Sequence, residues 1–264
     1  MAQGDVSQLD SLSGKYTVTR IIKHEFKNAF TGQMDGCSAV EYRLPVKRSE
    51  LKRLPQSRSI EALCDLGPSE YQSWFSRFYE SSNNGIHAVF DVVRKFEPVS
   101  LVHAVDQWYV RCCRDNCNDY LVGKELYLAN KRNWTTISFE IEDFPACKTF
   151  KEFLRKFAGL RESMPQTSGS FMYDEFQLFG DLATGLSTDE YEDWLDAMCV
   201  YYARNGDLVL LGEDGETGWY VLGENRVELL TSNFDELLEL WAAFRSETNE
   251  PFDSFSVAEY LRNK

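Results

Sequence analysis

Residues 207–230 read DLVLLGEDGETGWYVLGENRVELL, and this stretch decides the fold. Three short apolar runs, Asp207–Leu211, Trp219–Leu222 and Val227–Leu230, are separated by Glu213-Asp214-Gly215-Glu216 and Gly223-Glu224-Asn225. Glycine, asparagine and aspartate tolerate the backbone angles that tight connections need, so the pattern predicts three strands joined by hairpins, a β-meander. The chain then turns helical. Asn233-x-x-Glu236 has the form of a helix cap, and Phe234, Leu237, Leu238 and Trp241 recur on one helical face behind it. The expectation is a helix over 234–244, packed on the meander with Trp241 buried.

Upstream, Thr149-x-x-Glu152 reads as a capping box, followed by Phe150, Phe153, Leu154 and Phe157 at helical spacing and a Gly159 stop. Met164–Gly169 reads as a loop, and Phe171–Phe179 as the approach to a strand that Gly180 ends. Ser187-x-x-Glu190 is a further capping box, with Tyr191, Trp194, Leu195, Met198 and Tyr202 as the stripe of its helix. A last helix is expected at about 256–262, after Pro251. The order helix, strand, helix, meander, helix predicts an α+β fold: an antiparallel sheet with helices packed on one face.

The first half follows similar rules. Tyr16–Ile22 and Ala39–Leu44 read as strands. The basic stretch Lys47–Arg58 has no aromatic residues to stack on bases and reads as a solvated connector. Pro68 suits a first helical turn, before Tyr71, Trp74, Phe75 and Phe78 at i, i+3, i+4, i+7. Asn83-Asn84-Gly85 reads as a stop, and Ile86, Val89, Phe90 and Val93 repeat the helical spacing beyond it. Strands are predicted at 99–111, 119–128 and 133–141. The expected organisation is a disordered terminus over 1–14, an N-terminal α+β region over 15–140 and an acidic domain over 141–264. The middle region reads either as the front half of one large domain or as a separate one. Its strands followed by Phe150–Phe157 echo the later meander and helix, as a degenerate duplication would.

Charge divides the chain. Residues 1–140 carry 18 Lys+Arg against 17 Asp+Glu, a net of +1, and residues 141–264 carry 10 against 25, a net of −15. Such a surface repels nucleic-acid phosphates and steers basic partners, and it also favours solubility. With 43% hydrophobic residues the chain has enough apolar content for a core. No stretch approaches the roughly 18 consecutive apolar residues of a membrane span. The N-terminus lacks a basic and an apolar signal region, so a cytoplasmic location is expected, without membrane or nucleic acid as partner. Cys37, Cys64, Cys147 and Cys199 read as reduced core thiols, while Cys112, Cys113 and Cys117 lack the paired spacing of a zinc site.

Catalytic signatures are missing. The sequence has no G-x-S-x-G elbow, phosphate loop, G-x-G-x-x-G or H-E-x-x-H, and His24, His87 and His103 lie outside any nucleophile or metal motif. No catalytic residue, metal or cofactor is therefore expected. The clustered carboxylates could serve a hydrolase only across a cleft of suitable width. Asp189, Glu190, Glu192 and Asp193 at a helix start also have a purely electrostatic reason, since they complement the helix dipole.

Three segments resemble the SUKH superfamily, which includes Smi/Knr-like regulators and many bacterial toxin-immunity proteins. Phe150-Lys-Glu-Phe153-Leu154 through Gly159 is similar to its first helix and turn. Leu208–Gly215 through Gly218–Leu222 is similar to its glycine–aspartate meander, and Val227–Leu230 followed by Phe234–Leu238 to its closing strand and helix. The resemblance spans about 146–246, lacks the family's usual opening and has no counterpart for about 15–140. It implies a non-enzymatic protein-binding module, in the first instance an immunity-type protein that neutralises a toxin domain. A regulatory or host-interacting protein of signalling or viral type is the second reading, and a hydrolase using paired carboxylates the third. The acidic half suits a basic partner whose site is built for phosphates. Candidate contacts are Asp189, Glu192, Asp193, Glu213, Asp214 and Glu216, with Trp219 as an aromatic anchor if exposed and a cross-strand packing residue if not.

Overall fold

The computed structural model describes residues 20–27, 34–51, 55, 58–104, 107–114, 125–129, 148–157, 159–162, 169–171, 178–183 and 191–264. Among these residues eleven strands form one sheet. They are β1 Arg20–Lys27, β2 Met34–Arg43, β3 Glu97–Ala104, β4 Gln107–Cys113, β5 Glu125–Ala129, β6 Gly159–Arg161, β7 Ser170–Phe171, β8 Met198–Tyr202, β9 Leu208–Leu211, β10 Thr217–Val221 and β11 Arg226–Thr231. Each pairs antiparallel with the next in sequence, which leaves β1 and β11 as the two edges. Hairpins and short returns suffice for such an order, whereas parallel neighbours would need crossovers of a dozen residues or more.

One apolar row crosses nine of these strands. Tyr42, Leu101, Val110, Leu128, Leu160, Phe171, Tyr201, Val209 and Trp219 are successive register partners from β2 to β10. All nine are buried in the same core. Directly opposed side chains share a face, so this row fixes the register of both halves at once. Above it lie α1 Arg58–Leu63, α2 Tyr71–Phe78, α3 Asn84–Val93, α4 Lys148–Lys156, α6 Phe234–Glu247 and α7 Ser254–Arg262. These helices contribute Leu63, Trp74, Phe90, Phe153, Trp241 and Val257 to the core. The expected α+β architecture, the meander over 207–230 and the helix behind it with Trp241 fully buried are all present.

The opposite face is covered as well. The short helix α5 Phe179–Leu182 and the 3-10 turn Glu192–Trp194 bring Phe179 and Tyr191 onto Cys199, Leu208, Leu210 and Tyr220. Helices on one face thus describe the long ones only. β8 sits between the two cores, with Met198 and Val200 in one and Cys199 in the other. That placement corrects the helix expected over Tyr191–Tyr202. A strand buried on both faces gives a continuous apolar run whose spacing cannot be told from a buried helix. Gly180 lies in α5, where its N–H donates to the Leu195 carbonyl at 2.8 Å; of the strand expected before it, Leu178 makes an antiparallel bridge to Met198 and residues 172–177 lie outside the described residues. The single strand expected at 99–111 is the β3–β4 hairpin, with Ala104 opposite Gln107. The strand at 133–141 and the cap at Ser187–Glu190 lie outside the described residues.

Three helix starts converge where α3, α4 and α6 meet. Asn83, expected as a stop, caps α3 by accepting from Ile86 N at 2.9 Å. Its Nδ2 donates to Thr149 Oγ1 at 3.2 Å, and that hydroxyl donates to Asp235 Oδ2 at 2.8 Å. Thr149 thus ties helices together, and Glu152 of the expected capping box accepts from Ser81 Oγ instead. Gly85 allows the close approach of α3 and α6: a Cβ there would stand 2.8 Å from the Asp235 carbonyl oxygen. Backbone cannot swing aside as a flexible side chain can. Gly85→Ala is expected to lower unfolding free energy by about 1–3 kcal/mol in urea denaturation, the range for overpacking. A variant as stable as the parent would show that the two helices separate freely.

Candidate functional site

Several charged groups lie inside the fold, the environment in which catalytic groups are commonly held. Glu41 Oε1, 2% exposed as a residue, accepts from Ser100 Oγ at 2.5 Å and from Arg111 Nη1 at 3.0 Å, linking β2, β3 and β4. Asp207 accepts from Leu222 N at 3.0 Å, from Asn205 Nδ2 at 2.5 Å and from the Ser254 hydroxyl. It therefore ties the β10 end to the start of α7. Glu162 Oε1 accepts from Trp241 Nε1 at 3.2 Å and lies 3.7 Å from Arg245 Nε, inside the core. Arg245 Nη1 donates to the Glu250 carbonyl at 3.0 Å. Each carboxylate accepts at least one hydrogen bond from another element, although Glu162 Oε2 and Arg245 Nε and Nη2 are buried without a hydrogen-bond partner.

The thiols follow the same logic. Cys64, Cys112, Cys113 and Cys199 are free and buried. Burial pushes Cys64 up to about 11, and it also raises Cys112 and Cys199, so these sulfurs stay protonated at neutral pH and are poor nucleophiles. Reagents such as maleimides are expected to label them in the native state only through opening, at rates at least about 100-fold below those in urea; comparable rates would refute this. Among the described residues, no three His, Cys, Asp or Glu side chains are grouped to hold a metal. Cys117 lies outside the described residues. His87 pairs with Asp91 at 3.4 Å on the surface of α3, and His103 packs on Trp108 with centroids 4.8 Å apart.

The exposed carboxylates gather instead around the last hairpin. Glu213 and Asp214 are exposed at the β9–β10 turn, where Gly215 takes φ +91°. Glu216 is half-buried, its carboxylate folded over Gly212. Glu192 and Asp193 are exposed on the 3-10 turn, and the adjacent Trp194 lies over Gly218 of β10, where a Cβ would meet its ring at 2.9 Å. The structure thus ties both groups to β10. Asp189 lies outside the described residues. Trp219 is corrected: it is 4% exposed, packs against Tyr201 and Phe252, and offers no surface anchor. As the register partner of Val209 it must point into the helix-covered core.

Sequence reasoning missed what lies beside these carboxylates. No residue of β11 is buried, and Leu229 is 71% exposed. Gly218 is its register partner, and Tyr220 is that of Val227, so Leu229 and Val227 share the face on which Trp194 lies. Arg226 pairs with Glu224 at 2.5 Å and with Glu228. Over residues 212–239 eight carboxylates (Glu213, Asp214, Glu216, Glu224, Glu228, Asp235, Glu236 and Glu239) face one cation, Arg226, a net of −7. The geometry is that of an acidic surface bordering a free sheet edge. No described helix is long and apolar enough to cross a membrane. Comparison with known proteins finds no matching family model, no similar curated protein and no similar solved structure.

Proposed function

We propose that this chain is a non-enzymatic protein-binding module whose acidic C-terminal meander receives a basic partner protein, in the manner of an immunity protein masking a toxin domain. The observation that supports the reading is the net of −7 over residues 212–239, set around an exposed hairpin and edge strand. Glu41, Asp207 and Glu162 are engaged by partners inside the scaffold, and the charges of residues 212–239 are carboxylates in all but Arg226. A patch of this kind raises the encounter rate with a cationic surface and disfavours phosphates. The SUKH resemblance supplies the toxin–immunity setting, and the cytoplasm is where such a mask would be needed.

Affinity capture with the full chain, followed by mass spectrometry, supplies the partner for the test. Stopped-flow association is then measured from low salt to about 0.15 M, where screening shortens the reach of charges to about 8 Å. The rate is expected to fall by about tenfold or more across that range. The Glu213→Gln/Asp214→Asn/Glu216→Gln variant is expected to associate several-fold more slowly and with a flatter salt dependence, because peripheral charges act mainly on the on-rate. An association rate indifferent to salt and unchanged in the variant would overturn the acidic-surface reading. A captured partner whose enzymatic activity continues undiminished in the complex would overturn the immunity setting.

A further inference from the structure

Resting on that reading, we propose that the partner docks by β-strand addition to the free edge of β11, contributing a basic extended segment that becomes a twelfth strand. β11 hydrogen-bonds only to β10 among the described residues. In an antiparallel pair the N–H and C=O groups of alternate residues point away from the neighbour, so one side of Arg226–Thr231 presents a row of unmatched donors and acceptors. Such a row is a template for an incoming chain, which gains affinity from main-chain hydrogen bonds and specificity from alternate side chains.

Edges are ordinarily blunted, and the two edges of this sheet differ in how. The sequence of β1, RIIKHEFK, places Arg20, Lys23 and Lys27 along its strand. Lysine on an edge discourages strand addition. β11 has no lysine. Its irregularity, the register shift at Thr217/Gly218, lies toward the Thr231 end and leaves Arg226–Leu229 in regular register with β10. In that regular part stands Leu229, 71% exposed, a side chain that β-strand burial on β8, β9 and β10 does not leave to any other large apolar residue. An added strand would cover it together with the partly exposed Val227 and Trp194 on the same face.

Charge selects the occupant. The single cation of the edge, Arg226, is already engaged by Glu224 and Glu228. The remaining carboxylates gather at the Thr231 end, Glu213, Asp214 and Glu216 beside it and Glu236 just beyond, and none of them has an ion-pair partner among the described residues. A second copy of this chain would set two such edges side by side, each net −7 over residues 212–239, and like charges across a strand pair are destabilising. A strand carrying lysine or arginine at alternate positions satisfies both features, with apolar side chains toward Leu229 and cations toward Glu228 and the flanking turns.

The probe is a synthetic octapeptide of alternating lysine and valine, compared with its glutamate–valine counterpart and with a version N-methylated at every second amide on the pairing side. Binding to the full chain is followed by two-dimensional NMR and amide hydrogen exchange. The lysine peptide is expected to bind, to slow exchange of alternate amides within 226–231 by about tenfold or more, and to lose at least about tenfold in affinity on N-methylation. Leu229→Lys is expected to weaken it to a similar degree while leaving the spectrum of the remaining fold unchanged. Equal binding of the N-methylated peptide, or protection located away from β11, would overturn the edge proposal while leaving the acidic-surface reading in place. Equal binding of the glutamate peptide would overturn both. Sedimentation showing a dimer that Leu229→Lys dissociates would give the edge to a second copy and overturn the proposal.

Discussion

Arg245→Met is expected to lower unfolding free energy by about 3–5 kcal/mol, among the largest effects of any single substitution in this fold. The guanidinium and its partner carboxylate on Glu162 are essentially without solvent contact, 0% and 1% exposed as side chains. At a separation of 3.7 Å between Arg245 Nε and Glu162 Oε1 the attraction offsets desolvation of both groups only while both are present. Removing the cation leaves a buried carboxylate with Trp241 Nε1 as its remaining strong donor. Glu162→Gln is expected to cost a comparable amount, since it strands Arg245 beside the neutral Tyr201 hydroxyl. The double variant removes both charges and is expected to recover most of the loss, because buried ion pairs replaced by neutral groups of similar volume are often close to neutral in stability. Urea denaturation of the four proteins gives the coupling energy directly. Single-variant losses that simply add in the double would show that the two groups do not act as a pair.

The network also illustrates which parts of the fold were open to sequence reading. Residues 207–241 were legible because every level agrees there. Gly215 and Asn225 supply the positive-φ positions, at +91° and +52°, that their turns require. Asn233 caps α6 by accepting from Glu236 N at 3.0 Å. The local rules failed where one residue serves two elements. Thr149 and Glu152 have capping-box spacing, yet their side chains bond to Asp235 and Ser81 across helix boundaries. Met198–Tyr202 differs from the expected helix because burial on both faces erases the alternation that marks a strand.

The candidate site was legible in charge but not in position. Composition located the excess of carboxylates, and the turn motifs located Glu213 and Asp214 on the surface. Strand order decides the rest. Trp219 and Leu229 both lie in alternating apolar runs of similar appearance, yet β10 is flanked on both sides and β11 on one. Trp219 is consequently core and Leu229 surface, and no feature within either run distinguishes them. The Trp194 contact with Gly218 is a similar case, since a glycine in a strand announces a close approach without naming what approaches.

In alkaline solution the protein is expected to lose stability steeply from pH 9 upward, by about 2.7 kcal/mol per pH unit from two thiols alone. Cys112 and Cys199 are raised above the ordinary thiol value of 9.0, chiefly because burial disfavours the charged form. Below pH 9 both are protonated whether the chain is folded or not, and they contribute nothing to the pH dependence. Above pH 9 the unfolded chain releases both protons while the native protein retains them. The unfolded state then binds fewer protons, so stability falls as pH rises, each thiol contributing about 1.4 kcal/mol per unit until its native-state pKa is reached. The loss accumulates as pH rises above 9 and draws on the about 5–15 kcal/mol typical of folded domains. Cys64, raised to about 11 by burial, adds in the same direction. Tyr79 and Tyr201, raised above 10.0 first of all by burial, steepen the loss above pH 10. Urea titrations at pH 8, 9.5 and 10.5 measure the slope, and thiolate absorbance is expected to appear together with the loss of circular dichroism. In the Cys112→Ala/Cys199→Ala variant the starting stability is lower, from lost packing, but the slope just above pH 9 is expected to drop by most of its value. A stability that stays level to pH 10.5, or an undiminished slope in that variant, would mean that both sulfurs ionise within the fold and that solvent reaches them where the native packing excludes it.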